Sequence, residues 1–332
     1  MPINKIRVSI GSASVLGLSS IRLKSPPTTC YLMTYKEGHC IANCGFCPQA
    51  RDSYSSTANL SRISWPIFSF AEFLISLKNI ASLNNFKRIC IQTLNYPNNF
   101  QDLLVIITQI RKVISIPISV AIPPMSKEQL KELKSIGVQR VGIALDGSTP
   151  EIFDLIKGKG VDGPYSWDIH FKSLRDAIEI FSKGFVSTHL IVGLGETQKE
   201  ILKQIEDVHN LAILPSLFAF TPIEGTKFEN MLQPDLLGFR QVQLGRYLIM
   251  FKNKKIKDFN FNFKGDIINF NITKKNLKDI VNDGEAFLTL GCPGCNRPFY
   301  TSRPSGPMYN YPRKLNKAEK EDIYNLLQKF VN

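Results

Sequence analysis

The chain has 332 residues, 43% hydrophobic and 21% charged, ordinary proportions for a globular protein. No apolar run is long enough for a membrane span. The apolar stretch Val15–Leu18 is too short, and too broken by Gly and Ser, for a secretory signal, so a soluble cytoplasmic protein with no membrane contact is expected. The +13 net charge comes from 41 Lys and Arg against 28 Asp and Glu. Its basic residues gather only modestly, at Lys252–Lys257, Lys274–Lys278 and Arg313–Lys320, without interleaved aromatics. That pattern argues against nucleic acid and fits solvated faces or an acidic macromolecular partner.

Taken in chain order, residues 1–27 read as a leader. Cys30–Tyr35, Arg88–Thr93, Ile118–Ile122, Arg140–Leu145, Val186–Gly193 and Leu217–Thr221 then read as strands. Several are nearly continuous apolar runs, as in parallel strands covered on both faces. Phe259–Phe263 and Ala286–Leu290 are weaker candidates for a seventh and an eighth. Helical segments alternate with them. Leu103, Ile106, Ile107, Ile110 and Ile114 trace one helical face. Ser126 with Gln129, and Thr197 with Glu200, form capping boxes, Thr149-Pro150-Glu151 opens another helix, and Gly137 closes one. The loop Lys157–Pro164 is Gly-rich and expected to be mobile. The alternation predicts an α/β fold of the TIM-barrel type over 28–290, either (βα)6 and open or (βα)8 and closed, with a C-terminal extension over 291–332. Chemistry is expected at the C-terminal ends of the strands.

Seven cysteines stand at 30, 40, 44, 47, 90, 292 and 295. Their odd count and tight local spacing point to metal rather than disulfides. Cys40, Cys44 and Cys47 form CxxxCxxC directly after the first strand. Three thiolates hold three irons of a [4Fe–4S] cube and leave the fourth open, which is what cleavage of S-adenosylmethionine (SAM) requires. Zinc would want a fourth ligand, and the one candidate nearby, His39, directly precedes Cys40. The spacing therefore predicts a radical SAM enzyme.

The run Asn43-Cys44-Gly45-Phe46-Cys47-Pro48-Gln49 resembles the cluster loop of biotin synthase. Ile191-Val192-Gly193-Leu194-Gly195-Glu196-Thr197 resembles that family's fifth-strand SAM motif. Leu145-Asp146 with Ser148 and Pro150-Glu151 resembles its fourth-strand end, and Gly284-Glu285 with Leu288-Thr289 its last-strand region. The resemblance implies that Phe46 touches the adenine, Asp146 the ribose, Val192 and Gly193 the adenine pocket, and Gln92 and Thr93 the methionine amino group. Biotin synthase holds a second cluster through three strand cysteines and an arginine. Here only Cys90 matches; strand three reads Ser119-Val120-Ala121-Ile122, and strand five carries Thr188 and His189. A lone Cys90 reads as a small buried hydrophobe.

The C-terminal extension adds Cys292-Pro293-Gly294-Cys295-Asn296-Arg297-Pro298, followed by Arg303-Pro304-Ser305-Gly306-Pro307. A lone CxxC also serves zinc and redox sites. Together with Cys30, however, Cys292 and Cys295 could hold an auxiliary [4Fe–4S] cluster, the second in the chain. The combination is similar to subunits of the two-component, archaeal-type lipoyl synthase. Bacterial lipoyl synthase completes its auxiliary cluster with a C-terminal serine, and Ser302 and Ser305 are the candidate counterparts. The resemblance implies a sulfurtransferase that inserts sulfur into an octanoyl chain on a carrier-protein lysine. Its partners would be an octanoylated carrier protein or lipoyl domain, a second radical SAM subunit, and an electron donor such as ferredoxin. A biotin-synthase-type reaction on a small molecule, and an iron–sulfur carrier or scaffold with no enzymatic activity, are the rival readings.

Overall fold

The computed structural model describes residues 3–80 and 85–332. The leader supplies β1 (Lys5–Val8) and α1 (Ile10–Val15), followed by β2 (Thr29–Met33). The long loop after β2 leads to a two-residue hairpin, β3 (Asn59–Leu60) and β4 (Ile63–Ser64), then to β5 (Ile67–Ser69) and α2 (Phe70–Asn79). Next come β6 (Arg88–Gln92), α3 (Asn99–Arg111), β7 (Ile118–Ala121), α4 (Lys127–Ser135) and β8 (Val138–Gly142). Two helices, α5 (Pro150–Lys157) and α6 (Trp167–Phe181), separate β8 from β9 (Val186–Val192). Helix α7 (Gln198–Asn210), β10 (Leu214–Ala219) and α8 (Leu236–Phe251) complete the alternation. Beyond it lie the hairpin β11 (Asn260–Phe261) and β12 (Ile267–Asn269), then α9 (Lys274–Asp283) and α10 (Lys317–Leu327).

The main sheet has eight strands in the order β10-β9-β8-β7-β6-β2-β1-β5. Six consecutive members, β2 to β10, pair in parallel, whereas β1 is antiparallel to both β2 and β5. This is the open (βα)6 form of the barrel, extended on one side by the leader. Among the described residues β5 and β10 do not pair, so the barrel is not closed by hydrogen bonds. The seventh and eighth strand candidates are corrected. Residues 260–261 pair with β12 in a separate hairpin, and Glu285–Phe287 is a 3-10 turn followed by a single bridge from Leu288 to Tyr311. Both are short apolar runs that pack under the C-terminal helices, a burial that strand patterning alone does not distinguish from a sheet.

The predicted caps form. Ser126 and Thr197 make capping boxes with Gln129 and Glu200, Pro150 starts α5, and Gly137 has φ +91°. The Lys157–Pro164 loop is a tight, packed turn, contrary to the mobility expected of it. A Cβ on Gly163 would lie 2.1 Å from the Lys157 carbonyl oxygen, and the Asn43 side chain donates to the Val161 carbonyl at 2.6 Å. Its glycines serve close packing rather than freedom of motion. Among the described residues no helix is long and apolar enough to cross a membrane.

Strand alternation sorts side chains into two layers. Cys30 and Leu32 of β2, with Ile89 and Ile91 of β6, join the core between sheet and helices. Tyr31 and Met33 of β2, with Cys90 of β6, face the interior of the barrel beside Cys40, Trp65 and Tyr300. Residues 291–311 run along this interior and link the edge strand β10 to the β3–β4 hairpin. The Asn310 amide donates to the Leu217 carbonyl of β10 at 2.9 Å, and on the other side Ser61 donates to the Tyr300 carbonyl at 2.8 Å. From α8, buried Arg240 and Gln243 both donate to the Tyr309 carbonyl. They hold the segment in place.

Candidate active site

The loop carrying CxxxCxxC leaves the C-terminal end of β2 and is fixed by backbone and amide bonds. Cys40 N–H donates to the Gln49 carbonyl at 2.8 Å, and Gly45 N–H to the Ile156 carbonyl at 2.8 Å. Asn43 donates to Asp52 at 2.8 Å, and Gln49 to the carbonyls of Thr57 and Asn59 at 2.6 Å each. A Cβ on Gly45 would stand 2.6 Å from the Phe228 ring, so the motif's glycine answers to a ring packed against it. Cys40, Cys44 and Cys47 line one cavity. Asn95 N–H donates to Cys40 Sγ at 3.1 Å. Burial pushes all three thiols up, Cys44 to about 12 against the pull of nearby Lys157. Three cysteines that neighbour one another in a protein-lined cavity are a donor set that, as thiolates, fits three irons of a cluster.

The same cavity is lined by Phe46, Gln92, Thr93 and Asp146. Thr93 spends its hydroxyl on the Ala121 carbonyl at 3.2 Å. Asp146 sits in the left-handed region, φ +63°, and bridges to β9 through its own N–H to His189 and its carbonyl from Ile191. Its carboxylate receives a hydrogen bond from Lys157 Nζ at 2.7 Å, and the same ammonium donates to the Ala144 carbonyl at 2.8 Å. Lys157, buried at the end of α5 over the rings of Phe153 and Tyr165, escaped the sequence reading. A basic residue in the last turn of an amphipathic helix looks like an ordinary surface cation. His170 lines the cavity too, and burial depresses it to about 3.

The residues expected at the adenine divide between cavity and core. Phe46 packs with Ile156, Ile191, Leu194 and Phe220. Val192 is corrected: strand alternation turns its side chain into the sheet–helix core, and its neighbour Ile191 lines the cavity instead. Gly193, at φ +101°, gives its N–H to Glu196 Oε1 at 2.7 Å, while Leu194 N–H goes to Oε2 at 2.9 Å. Glu196 therefore folds this turn, a role hidden in the sequence because the carboxylate serves backbone two and three residues earlier.

The second group of cysteines differs from expectation. Cys30 is fully buried on the outer face, so it does not gather with Cys292 and Cys295. Cys90 does. Tyr31 and Ser119 are its register partners on the two neighbouring strands. The Tyr31 hydroxyl and Cys295 Sγ share a hydrogen bond of 3.3 Å, and the Ser119 hydroxyl donates to Cys292 Sγ at 3.4 Å. Burial and then Cys292 push the Cys90 thiol up to about 12. Arg297 lies half-buried beside these groups, and its guanidinium meets His189 Nε2 at 3.1 Å. Ser305 is exposed, and Ser302 accepts from Tyr309 N–H, so neither serine joins the cysteines.

The C-terminal turn enters at the opposite end from the SAM loop. Thr28 and Thr29, at the start of β2, both donate to the Gly294 carbonyl, and Asn296 accepts from Thr28 N–H at 3.1 Å. Between the two ends lies a second cavity of about 150 Å³, lined mainly by apolar atoms. It runs from Phe46, Cys47 and Asp146 past Phe218 to Arg297 and Tyr300.

An open parallel barrel with three cysteines on the loop after its first parallel strand is a fold built for SAM chemistry. The Radical SAM superfamily model matches residues 38–208, and the chain belongs to that superfamily. Membership implies a [4Fe–4S] cluster and SAM, and makes the protein a radical SAM enzyme. Among curated relatives, mitochondrial biotin synthase of Arabidopsis thaliana is 27% identical over 213 residues, covering 60% of this chain and 51% of that protein. Biotin synthase of Methanococcus vannielii is 28% identical over 210 residues, covering 61% and 58%. The match thus spans between half and three fifths of these relatives. Among solved structures, methylornithine synthase aligns with TM-score 0.50 at 14% identity, covering 68% of this chain and 63% of that one. The hydrogenase maturase HydG from Carboxydothermus hydrogenoformans aligns with TM-score 0.51 at 18% identity, covering 68% and 52%. At such identities these structures speak for the fold.

Proposed function

We propose that this radical SAM enzyme inserts sulfur at an unactivated carbon, C6 or C8, of an octanoyl chain carried on a protein lysine. A second radical SAM subunit would make the other insertion, and ferredoxin or a similar carrier would supply the electron. When bound, the cluster and SAM would supply a radical that removes a hydrogen atom from such a carbon. A sulfide of a second cluster, held by Cys90, Cys292 and Cys295, would supply the sulfur, with a ferric iron of that cluster taking up the remaining electron. This chain's residues do the rest. Phe46 and Ile191 flank the nucleoside, Asp146, held by Lys157, meets the ribose, and the apolar cavity aligns a saturated chain. The observation that carries the reading is this cavity, which runs from the CxxxCxxC loop to Arg297 and Tyr300 at the opposite end. Excess positive charge on the enzyme suits a small acidic carrier domain.

The test is anaerobic incubation of the reduced, reconstituted enzyme with SAM and an octanoyl-lysine peptide. Formation of 5′-deoxyadenosine coupled to gain of one sulfur atom by the peptide supports the reading. Deoxyadenosine formation with no sulfur gained by the peptide overturns it. The similarity to biotin synthases favours a second reading, sulfur insertion into a small molecule such as dethiobiotin. The same assay with that substrate in place of the peptide separates the two.

A further inference from the structure

We propose that the face built by the leader, the β3–β4 hairpin and the C-terminal segment docks the acidic carrier domain that presents the octanoyl chain, with Arg62 and Arg303 as its cationic centre. The inference rests on the octanoyl reading and adds the surface through which that substrate is recognised. Residues 1–36, 53–71 and 286–318 contain no Asp or Glu, so all 28 of these residues lie elsewhere in the chain. Far apart in sequence, the three stretches meet around a separate cavity of about 210 Å³, whose walls include Leu23, Arg62, Ile63, Phe299 and Pro304. Ser61, at φ +51°, forms the hairpin tip and donates its hydroxyl to the Tyr300 carbonyl at 2.8 Å, which sets the neighbouring Arg62 against the C-terminal segment. Burial, and then the nearby Arg303, push the Arg62 guanidinium down. Among the described residues neither guanidinium pairs with a carboxylate. Arg22 and Lys24, exposed on either side of Leu23, add to the same field. Cations held together against their repulsion, with no acid supplied by the chain, are complementary to carboxylates on a partner.

Position selects the carrier over an electron donor. Tyr300 is a wall of both this cavity and the substrate cavity, and Ser61 lines the latter too. A domain seated here holds its acyl-lysine next to that shared wall. The cavity lies beside Pro27, just before β2, whereas the CxxxCxxC loop leaves the far end of that strand. An electron donor on this face would be remote from the cluster it reduces. The apolar walls at Leu23, Ile63 and Phe299 give one hydrophobic side chain of the domain a seat inside the charged rim.

The experiment measures binding of a fluorescently labelled, octanoylated lipoyl domain of acidic surface to the reconstituted enzyme, by anisotropy at low and at physiological salt. The wild type should bind, and more weakly as salt rises. Arg62→Glu with Arg303→Glu should raise the Kd about tenfold or more, and Arg62→Gln with Arg303→Gln by less. Lys252→Glu with Lys257→Glu, an equal charge change beyond the end of α8, should leave it unchanged. Wild-type unfolding midpoints show that the variants are folded, and the milder Gln pair decides the matter if the Glu pair is not. Absence of binding, equal weakening by the Lys252 and Lys257 variant, unchanged binding by the arginine variants, or equally tight binding of a DNA duplex overturns the docking face. These failures are distinct from failure of the octanoyl reading, which stands or falls on sulfur gained by the free peptide.

Discussion

The two ends of the barrel interior carry cysteines assembled in opposite ways. At the C-terminal end Cys40, Cys44 and Cys47 come from one loop, and the loop's own hydrogen bonds hold them near one another. At the N-terminal end a strand residue, Cys90, meets a turn that follows it by some two hundred residues, so the tertiary fold does the gathering. A local site keeps its ligands together as long as the loop is intact. A site built from distant segments depends on the pins at Thr28, Thr29 and Asn296. The difference predicts unequal sensitivity to change at the two ends.

The largest effect belongs to the local site. Replacing Cys40, Cys44 and Cys47 with Ala should abolish reductive formation of 5′-deoxyadenosine, measured by chromatography of the quenched reaction. Retained cleavage of SAM would contradict the assignment of this end. Next comes the ion pair beside it. Lys157→Met leaves the Asp146 carboxylate buried without its partner, which should cost about 3–5 kcal/mol of stability, read from the urea midpoint. A variant as stable as the wild type would mean that the carboxylate finds water.

How much of this was legible in the sequence follows the same division. CxxxCxxC, the capping boxes and the helical face of α3 depend on residues three or four apart; the capping boxes formed as read, and the face did so as far as Ile110, with Ile114 lying beyond the end of the helix. Facing was not legible. The strand reading Thr29-Cys30-Tyr31-Leu32-Met33 is buried throughout, so nothing in its polarity tells which alternate residues look inward. Cys30 and Cys90 were therefore interchangeable by composition, and only the register of β2 against β6 separates them. Val192 and Ile191 exchanged places for the same reason. The pairing of Asp146 with Lys157 was invisible for another: it spans eleven residues and depends on how α5 returns to the end of β8.

A smaller effect tests the C-terminal end of the cavity through pH. His170, whose Nδ1 lies 3.0 Å from the Ser166 carbonyl, is depressed by burial to about 3. Between its ordinary value of 6.5 and about 3, the unfolded chain binds a proton that the folded chain refuses, so stability falls as pH drops through this window. The slope should approach about 1.4 kcal/mol per pH unit from this group. His170→Asn should flatten the profile of stability between pH 6 and 4 relative to the wild type, in denaturant titrations at each pH. Parallel profiles would mean that His170 protonates in place.

The smallest effect is the one that sharpens the contrast between the two strand cysteines. Cys30 is wholly enclosed among Leu32, Ile89 and the helix layer, and burial pushes its thiol up, so it behaves as a small apolar side chain. Cys30→Ala removes one sulfur atom's packing and should cost about 1–2 kcal/mol, read from thermal unfolding. Iron content and SAM cleavage should be those of the wild type. Cys90→Ala, one strand over and one face inward, should do the reverse, lowering iron content while changing the apolar core little. The two residues lie within one register position of each other on adjacent strands, so iron content compares them in the same stretch of sheet. What remains is the difference between a thiol that fills space and a thiol that faces Cys292 and Cys295. Equal iron content in the two variants would remove that difference, and with it the reason for placing Cys90 at the site.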